Sequence, residues 1–200
     1  PMTNPDIDFD ALATALCETA QRAGRAIREI YAGGLDVRQK DDASPVTDAD
    51  EAAEKIILAD RARLAPDVPV IAEEAVAAGK VPETGDLFFL VDPLDGTKEF
   101  VSGTGEFTVN IALVRGGVPR FGLILAPAVG ELYVTLAADR TIKAHVGTGQ
   151  VKPLDSVEHV PLQTRAPTPG QLVALASRSH MNEATERFLE THGISDTMQA

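Results

Sequence analysis

Apolar residues recur at helical spacing from Phe9 to about Ala32, at Leu12, Leu16, Ala20, Ala23, Ile27, Ile30 and Tyr31. That period predicts a long amphipathic helix, stopped by Gly33-Gly34. A polar link leads to Ser44-Pro45-Val46-Thr47-Asp48-Ala49-Asp50, after which Ala53, Ile56, Ile57 and Leu64 line one side of a second predicted helix. The pattern then shortens to runs of strand length. Val70-Ile71-Ala72 and Leu87-Phe88-Phe89-Leu90-Val91 read as strands joined by a loop holding Gly79, Pro82 and Gly85. Thr108 to Val114, Val118 to Leu125 and Glu131 to Leu136 read as an antiparallel meander with turns at Arg115-Gly116-Gly117 and Pro127 to Gly130. A further hairpin is expected from Thr141 to Leu154, and Pro161, Pro167, Pro169 and Gly170 suggest a change of domain. Beyond them lie a strand, Leu172 to Ala176, a helix near Asn182 to His192, and the start of another strand.

This order predicts an α+β fold in layers, a helix pair packed on an antiparallel sheet followed by an incomplete C-terminal α/β part. The expected division is residues 1–137 and 138–200, with the functional site where the two parts meet. Two hundred residues are ample for a real core.

Charge narrows the possible partners. Eighteen Lys and Arg against 30 Asp and Glu give a net charge of −12, a poor match for a nucleic-acid polymer. A small phosphorylated substrate stays compatible if cations supply positive charge locally. The single Cys17, in a predicted helix, excludes a disulfide framework and a thiolate metal cluster. With no signal peptide and no span of about twenty apolar residues, the chain reads as cytoplasmic and not integral to a membrane.

The candidate chemistry sits at the end of the Leu87–Val91 run, in Asp92-Pro93-Leu94-Asp95-Gly96-Thr97-Lys98-Glu99-Phe100. A tight turn there would point Asp92 and Asp95 into one cavity with the Leu94 carbonyl between them. Three converging hard oxygens suit a hard divalent cation, and acids so close need one to stay ionised. A plain strand-ending turn is the alternative, since Asp, Pro and Gly are ordinary turn residues. For Asp48 and Asp50 the alternative is helix capping, and for Glu73-Glu74 a solvated pair. His145, His159, His180 and His192 lack zinc-hydrolase spacing, and neither G-x-x-x-x-G-K-[ST] nor G-x-G-x-x-G is present.

Taken together, P-V-T-D-A-D, A-E-E and D-P-L-D-G-T-K-E-F resemble, in order and spacing, the magnesium-dependent, lithium-sensitive phosphatases of the inositol monophosphatase and fructose-1,6-bisphosphatase superfamily. D-G-T-K-E-F and A-S-R-S-H look most like its CysQ-type 3′(2′),5′-bisphosphate nucleotidases. The resemblance runs from about Ala43 to His180 and implies a sugar-phosphatase-like layered sandwich. It implies that Glu73, Asp92 and the Leu94 carbonyl bind a first Mg²⁺, and that Asp92 and Asp95 bridge to further ions, two or three in the complete family site. Thr97, hydrogen-bonded to Asp50, would orient and deprotonate the attacking water. Glu73, Gly96, Thr97, Ser177 and His180 would contact a small phosphorylated nucleotide, and a homodimer is the compatible assembly.

The implied reaction is removal of the 3′-phosphate of adenosine 3′,5′-bisphosphate, and of its sulfated form, within sulfur metabolism. Members of the superfamily continue into a G-x-x-x-K segment and a W-D-x-A-A motif that completes the second metal site, and this sequence contains neither motif. The chain is therefore expected to be part of a longer enzyme, binding the first metal but turning over poorly or not at all. An inositol- or sugar-phosphate phosphatase and a non-catalytic metal-binding domain are the rival expectations.

Overall fold

A computed structural model describes residues 8–34, 37–39, 45–137, 140–164, 166, 168, 172–176 and 181–199. Helix α1 (Phe9–Gly33) starts at Asp8, whose side chain accepts from the Ala11 N–H at 3.1 Å. Strands β1 (Val37–Gln39) and β2 (Pro45–Thr47) form a small antiparallel pair where the sequence suggested only a polar link. Helix α2 (Asp48–Leu64) follows without a break. Leu16, Ala20, Ala23 and Ile27 of α1 and Ala53 and Ile57 of α2 are fully buried, and they form the helical side of the core.

The other side of that core is one face of a seven-stranded sheet. It comprises β3 (Val70–Ala72), β4 (Leu87–Asp95), β5 (Thr108–Arg115), β6 (Val118–Ala126), β7 (Glu131–Ala137), β8 (Arg140–His145) and β9 (His159–Leu162), in that spatial order. Only β3 and β4 run parallel, and every later neighbour is antiparallel. Phe89, Val91, Val109, Ile111, Leu123, Leu125, Leu132 and Val134 alternate onto the helix-packed face. The alternation is that of half-buried antiparallel strands. The α+β layering expected from the sequence is present.

Three local expectations are revised. The hairpin partner of β8 is not in 141–154 but at β9, reached through a single 3-10 turn, Leu154–Ser156. No side chain of β9 is buried, so it carries no hydrophobic signal, and Pro161 is tolerated because this is the sheet's edge. As β8 and β9 continue the sheet, the chain groups as Pro1–Leu162 and Gln163–Ala200 rather than dividing at 137/138. Finally, Glu73 does not merely end a strand but opens a short helix, α3 (Glu73–Ala77).

The second unit holds β10 (Val173–Ala176), α5 (Glu183–Thr191) and β11 (Asp196–Gln199), with β10 and β11 pairing in parallel as a βαβ unit. Among the described residues no helix is long and apolar enough to cross a membrane.

Candidate metal centre and active site

The feature that builds the site is an irregularity in β4. Asp92 lies opposite Asn110 on β5, and Asp95 lies opposite Thr108. Two residues, Pro93 and Leu94, thus stand against the single Val109. Positions three apart on a regular strand face opposite sides, so the extra residue is what returns Asp92 and Asp95 to the same side. Pro93 suits the bulge because it has no N–H to give to the ladder. The expected tight turn is therefore a bulged strand end, and Pro93 and Leu94 are buried within it.

Gly96 then turns the chain into α4 (Thr97–Ser102). Its φ is 88°, and a Cβ there would stand 2.8 Å from the Glu106 carbonyl oxygen. Below it, Phe100 is fully buried and packs edge-on against Phe107, with ring centroids 5.0 Å apart. This anchors the short helix that carries Thr97.

Glu73 arrives from the other side. The parallel register Ala72↔Val91 puts the residue that follows β3, Glu73 at the start of α3, near Asp92. The Glu74 N–H donates to Glu54 Oε2 at 2.9 Å, tying the start of α3 to α2. The Asp92 carboxyl is pushed up to about 8, first by burial, then by the charge of Glu73 and a hydrogen bond with it, then by Asp95, while the Leu94 N–H acts in the opposite direction. Burial and the charges of Glu73 and Asp95 thus converge on the Asp92 carboxyl.

Asp50, in the first turn of α2, is 1% exposed. Its Oδ2 accepts from the Thr47 N–H at 2.8 Å and the Thr47 hydroxyl at 2.7 Å, closing a capping box. Its Oδ1 accepts from the Thr97 hydroxyl at 3.1 Å. The capping reading of Asp50 holds in the geometry, and the hydrogen bond with Thr97 expected from the family resemblance is present. Asp48 faces outward and pairs with Arg38 at 2.7 Å. Thr97 Oγ1 also lies 3.2 Å from the Leu94 carbonyl, so its one hydrogen has two acceptors in reach.

The donor set is all oxygen: carboxylates of Glu73, Asp92 and Asp95 and the carbonyl of Leu94. Asp92 Oδ1 and Asn110 Oδ1 are buried with no hydrogen-bond partner among the described residues, on directly opposed positions of β4 and β5. Unpartnered hard acceptors beside crowded acids fit a hard cation such as Mg²⁺. Among the described residues no group of three or more His, Cys, Asp or Glu side chains is placed so as to hold a metal ion. Glu73 and Asp92 share a hydrogen bond, and Asp95 Oδ2 accepts from Asn110 Nδ2 at 3.2 Å.

Ser177 and His180 lie outside the described residues. The sequence reading missed Thr47 as the partner that occupies Asp50 Oδ2, and it missed Asn110. The signal for Asn110 was available, as a lone amide between Val109 and Ile111 in an otherwise apolar strand.

A family described as "Inositol monophosphatase family" matches residues 8–196. A relative from Shigella flexneri named "3'(2'),5'-bisphosphate nucleotidase CysQ" is 38% identical over 184 residues, which is 91% of this chain and 70% of the relative. An Arabidopsis thaliana relative named "Bifunctional phosphatase IMPL2, chloroplastic" is 33% identical over 141 residues, 70% of this chain and 40% of that one. Among solved structures, CysQ from Bacteroides thetaiotaomicron, described as a bacterial member of the inositol monophosphatase family, aligns with a TM-score of 0.70. Its identity is 32%, over 97% of this chain and 73% of that one.

Proposed function

The chain belongs to the inositol monophosphatase family and is a phosphatase of the bisphosphate nucleotidase type, and from that premise we propose that it is a Mg²⁺-dependent phosphomonoesterase removing the 3′-phosphate of adenosine 3′,5′-bisphosphate. The observation that carries the metal part is the bulge that sets Asp92 and Asp95 on one side of β4, beside Glu73. The substrate part is supported by the names of the 38% identical relatives.

Three carboxylates would repel a phosphate dianion in a partly buried site unless cations intervene. Glu73, Asp92, Asp95 and the Leu94 carbonyl would hold the first ion, with Asp92 and Asp95 shared with further ones. Bound magnesium would neutralise charge on the phosphoryl oxygens and lower the pKa of a water. The chain's own contribution is orientation. Thr47 occupies Asp50 Oδ2, leaving Oδ1 to receive the Thr97 proton. With its hydrogen so directed, Thr97 Oγ1 presents lone pairs to the attacking water and can accept from it. The N-terminal end of α4, with Gly96 and Thr97, would contact the phosphate.

The test is phosphate release from adenosine 3′,5′-bisphosphate and from inositol 1-phosphate, each with and without Mg²⁺. Magnesium-dependent release from the nucleotide at the higher kcat/KM is expected. Preference for the inositol ester would overturn the substrate assignment, and release equal in EDTA would overturn the metal.

A further inference from the structure

We propose that Asn110 positions Asp95 for the cation and that its own amide oxygen accepts from a water on that ion, an inference that rests on the metal reading above. Asn110 stands on β5 directly opposite Asp92, and its Nδ2 donates to Asp95 Oδ2 at 3.2 Å, diagonally across the bulge. Asp95 is exposed, at the last position of β4 and next to the Gly96 turn. An unheld side chain there would sample several rotamers, and the amide fixes its plane by occupying one oxygen. The other oxygen is left for a metal, the usual division of labour between a ligand and its supporting hydrogen bond.

The second half of the amide carries the inference further. Asn110 Oδ1 is buried and has no partner among the described residues. An amide oxygen left so is costly, and a strand residue needed only to brace Asp95 has no use for it. Its surroundings do not explain it either. The groove beside it, about 500 Å³, is floored by Leu90, Ala112, Gly122 and Ile124, none of which offers a side-chain donor. The other polar side chains lining it are the carboxyls of Glu73 and Asp92, whose hydrogen bond is made with each other. A magnesium ion retains waters, and each brings O–H donors to the acceptors around it. Asn110 thus meets the ion twice, through Asp95 on its donor side and through water on its acceptor side.

The experiment is calorimetric titration of Mg²⁺ into the metal-stripped full chain, for the wild type, Asn110→Leu, Asn110→Ala and Asp95→Asn, with the metal-free melting temperature of each. Asn110→Leu keeps the bulk, so it serves where the alanine variant folds poorly. Both Asn110 variants should bind Mg²⁺ about 10- to 100-fold more weakly, the usual loss for a residue that orients a metal ligand. Their metal-free melting temperatures should stay at or above the wild-type value. Affinity within twofold of wild type, or a loss of melting temperature with affinity unchanged, overturns the inference and leaves the metal site standing. A wild-type chain that binds Mg²⁺ no more tightly than Asp95→Asn overturns the metal reading and this inference with it.

Discussion

Replacing Gly96 with alanine tests whether the bulge and the helix after it are held as tightly as the geometry indicates. Two costs arise. A φ of 88° is a left-handed conformation, and a side chain there costs about 1–2 kcal/mol. The new Cβ would also stand 2.8 Å from the Glu106 carbonyl, so backbone must move, at about 1–3 kcal/mol. Against these, alanine restricts the unfolded chain and returns about 0.4–1 kcal/mol. Taken at the middle of each range the net loss is about 3 kcal/mol, or roughly 6–12 °C of melting temperature for a chain of this size. Gly117→Ala is the control, since Gly117 has a φ of 72° but nothing within 4 Å of the place its Cβ would take. It carries only the conformational cost and should lose about 2–4 °C. Because Thr97 is the next residue, movement at Gly96 should also lower phosphate release by about 100-fold, the cost of displacing a reacting group by about 1 Å. Thermal unfolding followed by fluorescence or circular dichroism, with phosphate release alongside, reads both effects. A Gly96→Ala protein that melts no lower than Gly117→Ala and keeps its rate would refute the steric argument.

The remaining expectations concern the acids that are held rather than crowded. Thr97→Val should lower kcat about 10²- to 10⁴-fold, the range for a lost proton-transfer group, with little change in melting temperature, while Thr97→Ser keeps most of the rate. Asp50→Asn should lose both rate and about 0.5–2 kcal/mol of stability, because it also closes the α2 capping box, and combining it with Thr97→Val should cost little further rate. Asp60 on α2 accepts from the Thr19 hydroxyl at 2.9 Å and pairs with Arg22 and Arg63. Burial alone would raise its pKa, but the hydrogen bonds from Arg22 and Thr19 and the two arginine charges outweigh it and lower the pKa below the usual carboxylate value. A lowered folded pKa gives stability that is present above about pH 4 and lost as pH falls through the folded value. Urea unfolding should therefore show Asp60→Asn about 1–3 kcal/mol less stable than wild type at pH 7, with the gap closing toward pH 3. A gap that does not change with pH would reject the pairing.

How much of this was legible follows from which signals are local. Helices α1 and α2 and the strands of the meander announce themselves because each buries one face, and burial on one face imposes a period on the sequence. β9 buries nothing and so had no period to announce it as a strand, whereas the change of domain read from Pro161, Pro167, Pro169 and Gly170 agrees with the unit boundary after Leu162. The site residues were legible as types and spacing, through D-P-L-D-G-T and its companions, but the device that assembles them was not. Asp92 and Asp95 are three apart, a spacing that on a strand should separate them and in a tight turn can join them. The sequence alone favours the turn. Whether a strand accommodates an extra residue depends on its partner, and the partner's count is a non-local fact: one residue, Val109, opposite two.

The same non-local pairing accounts for Asn110, whose role depends on lying across from Asp92 and diagonal to Asp95. From its own neighbours it reads only as a polar interruption in an apolar strand. The bulge therefore makes a demand that the acids by themselves do not. If one residue were inserted beside Val109, Pro93 and Leu94 would each gain a partner and the pairing would become regular. Asp95, still three positions from Asp92, would then turn to the opposite face, away from Asp92, Glu73 and Asn110. The spacing D-P-L-D is thus matched to the length of β5 as closely as to the carboxylates. Preserving both acids while regularising the pairing in this way should abolish cation binding, read by the same Mg²⁺ titration, as completely as removing one of them.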